Sequence, residues 1–213
     1  MTRSALLLLP LPLLSRQPSL ASTPLRKTSL QRKLLRAVRR REPVALGTAA
    51  RPWDPEDRFP LEALRHADGL KVSIVTRSPG LLRDLGLLAD LDRRCSVLVD
   101  VAIPAVDPEL MRRIEPHAPE PDERLRLVAR LAAEGIAVRV LWPVLPGVND
   151  GEGVLRDLLT AAREAGAWDV VAGTNPPRRL ASWLSLGRSR ALPAAFRRLR
   201  LEHGFPRAVA GRG

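Results

Sequence analysis

The sequence predicts an α/β fold, a partial (β/α) barrel of the TIM type with parallel strands and outer helices. Between residues 43 and 175, five short β-rich apolar runs alternate with segments of helical spacing. Each run ends in a polar tip that contains Gly, Thr, Ser, Pro or Asn, as expected where a parallel strand gives way to a helix. The intervals between the runs suit a barrel segment, and they suit an open doubly wound sheet as well.

The five predicted strands are short and mostly apolar. They lie near residues 44–48, 71–76, 96–103, 137–145 and 170–174. Several are too apolar to have a face in water, which is typical of parallel strands buried between helices. The segments between them repeat apolar residues at helical spacing, for example at Leu155, Leu158, Leu159 and Ala162. Those segments are predicted to form the amphipathic outer helices.

Capping residues mark the helix boundaries. Ser78 and Asp107 each precede a proline, so a side chain that accepts hydrogen bonds stands before a residue suited to the first helical position. Gly135 and Gly166 fall just after two predicted helices, where the chain needs a left-handed conformation. These positions predict two helix starts and two helix ends.

Charge divides the chain into three parts. The net formal charge is +12, to which residues 1–41 contribute +10, residues 42–177 contribute −6 and residues 178–213 contribute +8. We therefore expect a mildly acidic barrel at 42–177, between a basic N-terminal extension and a basic helical C-terminal segment. Arginine outnumbers lysine by 32 to 3 over the whole chain. Because such a general preference is not a binding signal, we expect the extensions to be solvated or partly disordered rather than phosphate-binding arms. DNA is the candidate partner if an extension binds one.

The apolar stretch at residues 5–14 reads ALLLLPLPLL. It is too short to cross a bilayer and contains two prolines, so we expect it to pack against the core or to be disordered, without membrane association. An organelle-targeting segment, and a start altered by truncation or a frameshift, are the open alternatives. A cytoplasmic location is the favoured interpretation.

Cysteine and histidine predict no metal site. Cys95 is the only cysteine of the sequence, and the three histidines lack paired acids at ligand spacing. Cys95 is expected to be a small buried residue. Asp100 is the one acid inside an apolar run. A buried, hydrogen-bonded structural acid is the favoured interpretation, and a general base with a shifted pKa is the alternative.

Five motifs occur in order along the predicted barrel. They are GTAARPWDP at 47–55, SIVTRSP at 73–79, VAIPAVD at 101–107, RIEPHAP at 113–119 and PVLPGVND at 143–150. Together they resemble the radical SAM superfamily, and within it the spore photoproduct lyase-like branch, also called DNA repair photolyase-like. The resemblance covers roughly residues 30–175 and depends on the order and spacing of all five motifs.

That resemblance implies a partial (β/α)6 barrel in which S-adenosylmethionine lies across the carboxyl ends of the strands and chelates a [4Fe–4S] cluster. In the family, three cysteines of a CxxxCxxC loop after the first strand hold the cluster. This sequence has no such loop, so the first strand and its loop are either replaced by residues 1–30 or absent. The cluster is expected from the family while its ligands are missing, and no catalytic residue is assigned.

The resemblance also implies cofactor-binding residues at three strand tips. They are Gly47, Thr48, Thr76, Arg77, Ser78, Val144, Pro146 and Asn149. Gly47 and Thr48 would lie by the amino group of the methionine. Residues 76–78 would approach the cofactor, with Arg77 near its carboxylate. Val144, Pro146 and Asn149 belong to the turn that passes the adenine. The same residues also suit ordinary strand-to-helix turns and caps, and both interpretations remain open.

Three residues depart from the family pattern. Arg51 stands in place of an acid, Trp53 in place of a tyrosine and Trp142 in place of a small residue, so the Trp142 indole is expected to occlude the cleft. The predicted function is that of a radical SAM-like protein resembling spore photoproduct lyase-type DNA repair enzymes, unable to bind the cluster with these residues. The alternative is an inactive or truncated barrel that acts as a nucleotide- or nucleic-acid-binding accessory protein.

Overall fold

One parallel sheet forms the centre of the described structure. A computed structural model describes residues 7–8, 24–48, 52–55, 59–173 and 192–205. Within these residues six strands occur: β1 (Leu7–Leu8), β2 (Val44–Leu46), β3 (Lys71–Thr76), β4 (Ser96–Ala102), β5 (Ala137–Pro143) and β6 (Asp169–Gly173). The five strands predicted from the sequence are confirmed, each to within two residues of its predicted bounds.

Helices separate successive strands. They are α1 (Pro24–Arg40), α2 (Phe59–Leu64), a 3-10 helix (Pro79–Asp84) that runs into α3 (Leu85–Asp92), α4 (Pro108–Ile114), α5 (Pro121–Ala133), α6 (Glu152–Glu164) and α7 (Leu192–Glu202). Ser78 and Asp107 cap the 3-10 helix and α4 through their side-chain oxygens. Gly135 and Gly166 follow α5 and α6 with φ values of 77° and 81°. All four predicted boundaries are therefore confirmed.

The order of the strands distinguishes a barrel segment from an open doubly wound sheet. In space the strands follow the chain order from β1 to β6, and every neighbouring pair is parallel. Parallel crossovers are almost always right-handed, so a sheet that grows in one direction carries its helices on one face. A doubly wound sheet reverses direction and carries helices on both faces. The described chain is therefore a partial barrel, with a helical connection after each strand.

A first βα unit is present. Leu7 and Leu8 pair in parallel with Val44 and Ala45 of β2, and α1 follows before β2 begins. Residues 1–30 thus supply a first strand, which is one of the two alternatives left open by the sequence. Leu7 and Leu8 of the leucine-rich stretch are thus an edge strand of the sheet, and the rest of residues 5–14 lies outside the described residues.

The two faces of the sheet differ in burial. The strand residues that face the helices are 2% exposed or less; they include Val72, Ile74, Val97, Val99, Val101, Val138, Val140 and Val170. The opposite, concave side carries half-buried residues, among them Ser73, Val75, Leu98, Arg139 and Val171. The apolar strands predicted burial on both faces, whereas the one-sided helix layer leaves the concave side partly open.

The helix α7 packs beside α6. Arg198 of α7 forms an ion pair with Glu152 at 2.7 Å, and His203, just after α7, lies 3.2 Å from the hydroxyl oxygen of Thr160. The two helices therefore run in the same direction, as successive outer helices of a barrel do. Among the described residues, none of the helices combines the length and the apolar character needed to span a bilayer.

Candidate functional site

The candidate site lies at the carboxyl ends of the strands, where the predicted cofactor-binding residues fall. Because the strands are parallel, these ends share one edge of the sheet, which we call the carboxyl edge, and ligand sites of such folds form there. Trp53 links the tips of β2 and β3, and Asn149 links the tips of β4 and β5. The predicted residues therefore belong to one connected edge.

At the tip of β2, Gly47 lies very close to the backbone of Trp53 and Val75. Its φ is 79°, and a Cβ built on it would lie 2.4 Å from the nitrogen of Trp53 and 2.5 Å from the oxygen of Val75. The Trp53 N–H donates to that same Val75 oxygen at 2.5 Å. Segment 52–55 of the chain thus occupies the space next to Gly47, and this packing by itself accounts for the glycine. Thr48 is half-buried beside it.

The hydroxyls of Thr76 and Ser78 organise the tip of β3. Thr76 is 0% exposed; its Oγ1 donates to the Trp53 carbonyl at 2.8 Å and accepts from the Ser78 N–H at 3.1 Å. Ser78 Oγ accepts from the Gly80 N–H at 3.3 Å, at the start of the 3-10 helix. Both hydroxyls are engaged within the chain, and Thr76 has no exposed surface to offer a ligand.

Arg77 is held over the carboxyl edge by a buried charge network. Its Nη1 lies 3.2 Å from Glu115 Oε1, and Glu115 Oε2 accepts from Arg124 Nη2 at 2.6 Å. Arg124 is 0% exposed and also donates to the carbonyls of Ala102 and Pro119, at 2.6 and 3.0 Å. Burial lowers the pKa of Arg124, and the charge of Glu115 opposes that shift. The guanidinium groups of Arg77 and Arg124 share the carboxylate of Glu115, so these three side chains carry a net positive charge. The Arg77 side chain, which is 40% exposed, presents this charge to solvent.

Sequence reasoning proposed Arg77 as a site residue but did not single out Glu115 or Arg124, to which Arg77 is linked. The available signal was the position of Arg124 in α5, because Leu127 and Val128, three and four residues later, belong to the core. A charged residue at a buried helical position requires a charged or hydrogen-bonding partner. Glu115, in the fourth sequence motif, is that partner.

Asn149 closes the turn after β5 from within. It is 0% exposed; its Oδ1 accepts from the Leu145 N–H at 2.7 Å, and its Nδ2 donates to the carbonyls of Pro104 and Pro143 at 2.8 and 2.9 Å. Both ends of the amide are used, so Asn149 fastens the β5 turn to the tip of β4. The residue that precedes α6 is Gly151, and it makes no side-chain cap.

The same turn presents apolar groups near the surface. Val144 is 8% exposed and donates its N–H to the Gly173 carbonyl of β6 at 3.1 Å, while Pro146 is half-buried. Val148 is 44% exposed. An apolar turn of this kind can lie against a flat ring, which is the contact that the resemblance implies for the adenine.

A row of charged residues crosses the concave face below the carboxyl edge. Asp100 of β4 is in register with Arg139 of β5, which is in register with Asp169 of β6. Both oxygens of Asp100 accept from Arg139, at 2.7 and 2.9 Å, and this bonding raises the pKa of Arg139. Asp169 pairs in turn with Arg200 of α7. Asp100 is buried and hydrogen-bonded, as predicted, and the alternating charges leave the row neutral.

Trp142 does not occlude the cleft. It is 0% exposed and belongs to the helix-facing core, where its ring centroid lies 5.6 Å from that of Phe196. Side chains alternate along a strand, so Trp142 points away from the side that carries Arg139. The expectation of an occluding indole is therefore wrong. Trp53 is also a core residue at 2% exposure, and Arg51 lies outside the described residues.

The residues present do not fit an iron–sulfur cluster. Cys95 immediately precedes β4, so it lies at the amino end of the sheet, opposite the candidate site, with its Sγ 3.3 Å from the Ala67 carbonyl. Segment 9–23, which joins β1 to α1, contains no Cys, His, Asp or Glu. Within the part of the chain that the structure describes, no group of three or more such residues could hold a metal ion. The chain itself supplies no set of thiolates at the carboxyl edge.

Comparisons with known sequences find relatives but no defined family. No family model matches the sequence. Uncharacterized proteins of Mycobacterium tuberculosis and Mycobacterium bovis are 35% identical to it over 178 residues, which cover 80% of this chain and 52% of theirs. The chain thus spans about half the length of the relatives that it matches.

Radical SAM enzymes are among the solved structures similar to this chain. A domain of the pyruvate-formate lyase-activating enzyme from Bacteroides vulgatus has a TM-score of 0.59 at 13% identity, over 76% of this chain and 95% of that domain. Streptococcus suis SuiB bound to S-adenosylmethionine gives 0.56 at 15% identity, over 82% and 39%. A radical SAM methyltransferase from Sphaerobacter thermophilus gives 0.51 at 16% identity, over 85% and 54%. The chain therefore has the fold of radical SAM enzymes.

Proposed function

We propose that this chain is a radical SAM-like barrel protein, similar to spore photoproduct lyase-type DNA repair enzymes, whose own residues do not hold a [4Fe–4S] cluster. The observation that carries the proposal is a first βα unit without cluster ligands. β1 and α1 are in place, but residues 9–23 between them contain no thiolate. The fold supports the superfamily, and the five ordered motifs support the branch.

The carboxyl edge keeps features suited to S-adenosylmethionine. Arg77 is 40% exposed above a net positive network, and a guanidinium fork matches a carboxylate. The apolar turn at 143–149 supports contact with an adenine ring. Because Thr76 and Asn149 are fully buried and bonded within the chain, ligand contacts at these tips would involve backbone and Arg77. We expect binding of the cofactor without its reductive cleavage.

Anaerobic reconstitution with ferrous iron and sulfide tests the cluster part of the proposal. We expect iron well below one cluster per chain, no 5′-deoxyadenosine from S-adenosylmethionine and dithionite, and the same iron content in Cys95→Ser as in the wild type. A near-stoichiometric cluster that yields 5′-deoxyadenosine would contradict the proposal. Iron content and 5′-deoxyadenosine are measured on the same preparation, so that a missing product can be assigned to a missing cluster.

Calorimetric titration of the unreconstituted chain with S-adenosylmethionine tests the ligand part. Arg77→Ala is expected to weaken binding by about tenfold, the size of one charge-assisted hydrogen bond. Arg113→Ala removes an exposed arginine of α4 and serves as the control, with no expected change. If the wild type does not bind the cofactor, the ligand part is wrong, whatever the iron content.

The alternative is an accessory protein that binds a nucleotide or nucleic acid without chemistry. The observation in its favour is the same lack of cluster ligands in residues 9–23. Titration with S-adenosylmethionine, adenosine and ATP separates the two proposals. Preference for S-adenosylmethionine over the other two supports the radical SAM-like site, and equal or tighter binding of ATP supports the accessory role.

A further inference from the structure

We propose that the outward side of α1 is a docking surface for the phosphate backbone of nucleic acid. This surface, the basic face, consists of Arg32, Lys33, Arg36, Arg39 and Arg40. It lies on the outside of the barrel and is separate from the candidate site. The proposal rests on the proposed function for its ligand class and adds the surface that would bind it, and its test is independent of the titration with S-adenosylmethionine.

The basic face is confined to one side of the helix. At about 100° per residue, the five positions fall within an arc of about 120°, and all five residues are exposed. Leu34 and Ala37, at 1% and 0% exposure, mark the opposite side, which packs in the core. The packing of Leu34 and Ala37 therefore turns these five charges toward the outside of the barrel.

The lack of acids distinguishes α1 from other outer helices. Residues 24–40 contain no Asp or Glu, whereas α5 and α6 carry both signs, for example Asp122 with Arg126 and Glu152 with Arg156. A general preference for arginine acts on every helix, so it does not explain why acids are missing from this one. Glu42, just after α1, lies 3.7 Å from Arg40.

The chemistry of the basic face suits phosphates spaced along a strand. Four of its five residues are arginines, whose planar forks bind phosphate through two parallel hydrogen bonds. Positions 32 to 40 extend over about 12 Å of helix axis. A DNA duplex carries one negative charge per about 1.7 Å, so several phosphates lie within reach of this length.

An anionic membrane is a poorer match than nucleic acid. A helix that binds at a bilayer surface inserts its apolar side among the lipids. The apolar side of α1, with Leu34 and Ala37, is already buried in the barrel. Leu35 is exposed at 46%, but it is a single residue at the border of the basic face. The basic face can therefore bind a partner mainly through its charges.

The placement of α1 separates docking from the candidate site. The helix starts beyond the carboxyl end of β1 and ends before the amino end of β2, so the basic face lies along the outer wall toward the amino ends of the strands. Nucleic acid bound there would hold the barrel as an anchor and would not enter the concave face.

Fluorescence anisotropy with a labelled mixed-sequence DNA duplex of about 30 base pairs tests the proposal on the full chain. The test variant is the triple substitution Lys33→Gln, Arg36→Gln and Arg39→Gln, which keeps residues that favour helix. Binding is measured from low to high salt, and vesicles of phosphatidylglycerol and phosphatidylcholine are titrated in parallel. Melting temperatures of all variants verify that the fold is kept.

A matched control removes the same charge from elsewhere on the surface. Arg113→Gln, Arg126→Gln and Arg130→Gln replace three exposed arginines of α4 and α5, and both triple variants lower the formal net charge from +12 by three, to +9. A double variant, Arg36→Lys with Arg39→Lys, keeps the charge of the basic face.

We expect the test triple to weaken duplex binding at least tenfold at moderate salt and to reduce the slope of log Kd against log salt by about 2 to 3. The control triple should stay within about twofold of the wild type, and the lysine variant should keep most of the slope. Equal weakening in both triples would assign binding to net charge and overturn the proposal. Lack of duplex binding by the wild type, or binding to vesicles alone, would overturn it as well.

Discussion

The two faces of the sheet differ in the kind of side chain that they bury. On the helix-facing side, alternate residues of β4 and β5 are aliphatic or aromatic, and the series of β5 ends at Trp142, which is 0% exposed. On the concave side, the same strands carry Asp100 and Arg139, joined by two hydrogen bonds. The difference follows from the strand order, because a sheet that grows in one direction has its helices on one face only.

The helix-facing side and the concave side of the sheet are expected to contribute differently to stability. A closed TIM barrel fills its interior with layers of branched apolar side chains. Here the layer formed by Val75, Asp100, Arg139 and Asp169 is mainly charged, and Val75 and Arg139 keep part of their surface in solvent. We therefore expect the helix-facing side to dominate the free energy of unfolding, and the concave side to tolerate change as long as its charges stay paired.

The largest effect is expected on the helix-facing side, for Trp142→Ala. Removal of a fully buried indole leaves a cavity beside Phe196 and should lower the free energy of unfolding by about 3–5 kcal/mol. The Trp142 Nε1 has no hydrogen-bond partner within the described structure, so Trp142→Phe loses only part of the packing and should cost clearly less than Trp142→Ala. Urea denaturation followed by circular dichroism measures both, and equal losses would contradict the packing explanation.

On the concave side, Asp100→Ala should lower the free energy of unfolding by about 2–3 kcal/mol, because it leaves Arg139 partly buried without its partner. The double variant Asp100→Leu with Arg139→Met should recover most of this loss, since apolar replacement of both partners is often neutral. Denaturation of Asp100→Leu, Arg139→Met and the double variant forms the necessary cycle. A double variant as unstable as Asp100→Ala would show that the pair itself is needed.

Gly47→Ala, at the carboxyl edge, should cost about 2 kcal/mol, from a positive φ combined with contact to Trp53 and Val75. Gly147→Ala is the matched control, since its φ is 75° and an added Cβ meets open space. That control should cost about 1 kcal/mol. Thermal denaturation measures the difference, and equal costs would mean that the close approach next to Gly47 is relaxed in solution.

The smallest effect is expected for Ser73→Ala, which changes a half-buried hydroxyl of β3 on the concave side. The free energy of unfolding should move by less than about 0.5 kcal/mol. The same measurement on Ile74→Ala, one residue along the strand and 0% exposed, should show a loss of about 2–5 kcal/mol. Similar values for these neighbours would remove the distinction between the two faces.

The features that sequence predicted well are local ones. Ser78 and Asp107 cap helices and Gly135 and Gly166 end them, as expected, because capping depends on residues within one turn of each other. The five strands followed from apolar runs between polar tips. The strand order was beyond such reasoning, since the same βα spacing serves a barrel and a doubly wound sheet.

The errors arose where the outcome depended on which side of a strand a residue faces. The run at 137–145 is apolar almost throughout, so its pattern alone did not show where Trp142 would point. Arg139 was the usable signal: a charged residue marks the wetter face, and Trp142, an odd number of positions away, lies on the other. The Arg77–Glu115–Arg124 network was missed because it joins three separate elements through side chains.

The sequential strand order also has a consequence for how the chain folds. Each described strand pairs only with the strands directly before and after it in the sequence, so each ladder can form once a single crossover has closed. In this respect the sheet resembles a repeat protein, whose units depend on their nearest neighbours. The β3–β4 ladder pairs six residues and the β1–β2 ladder pairs two. Folding should therefore spread outward from the centre, with β1 as the last strand to join and the first to open, and with the earliest hydrogen exchange along that edge.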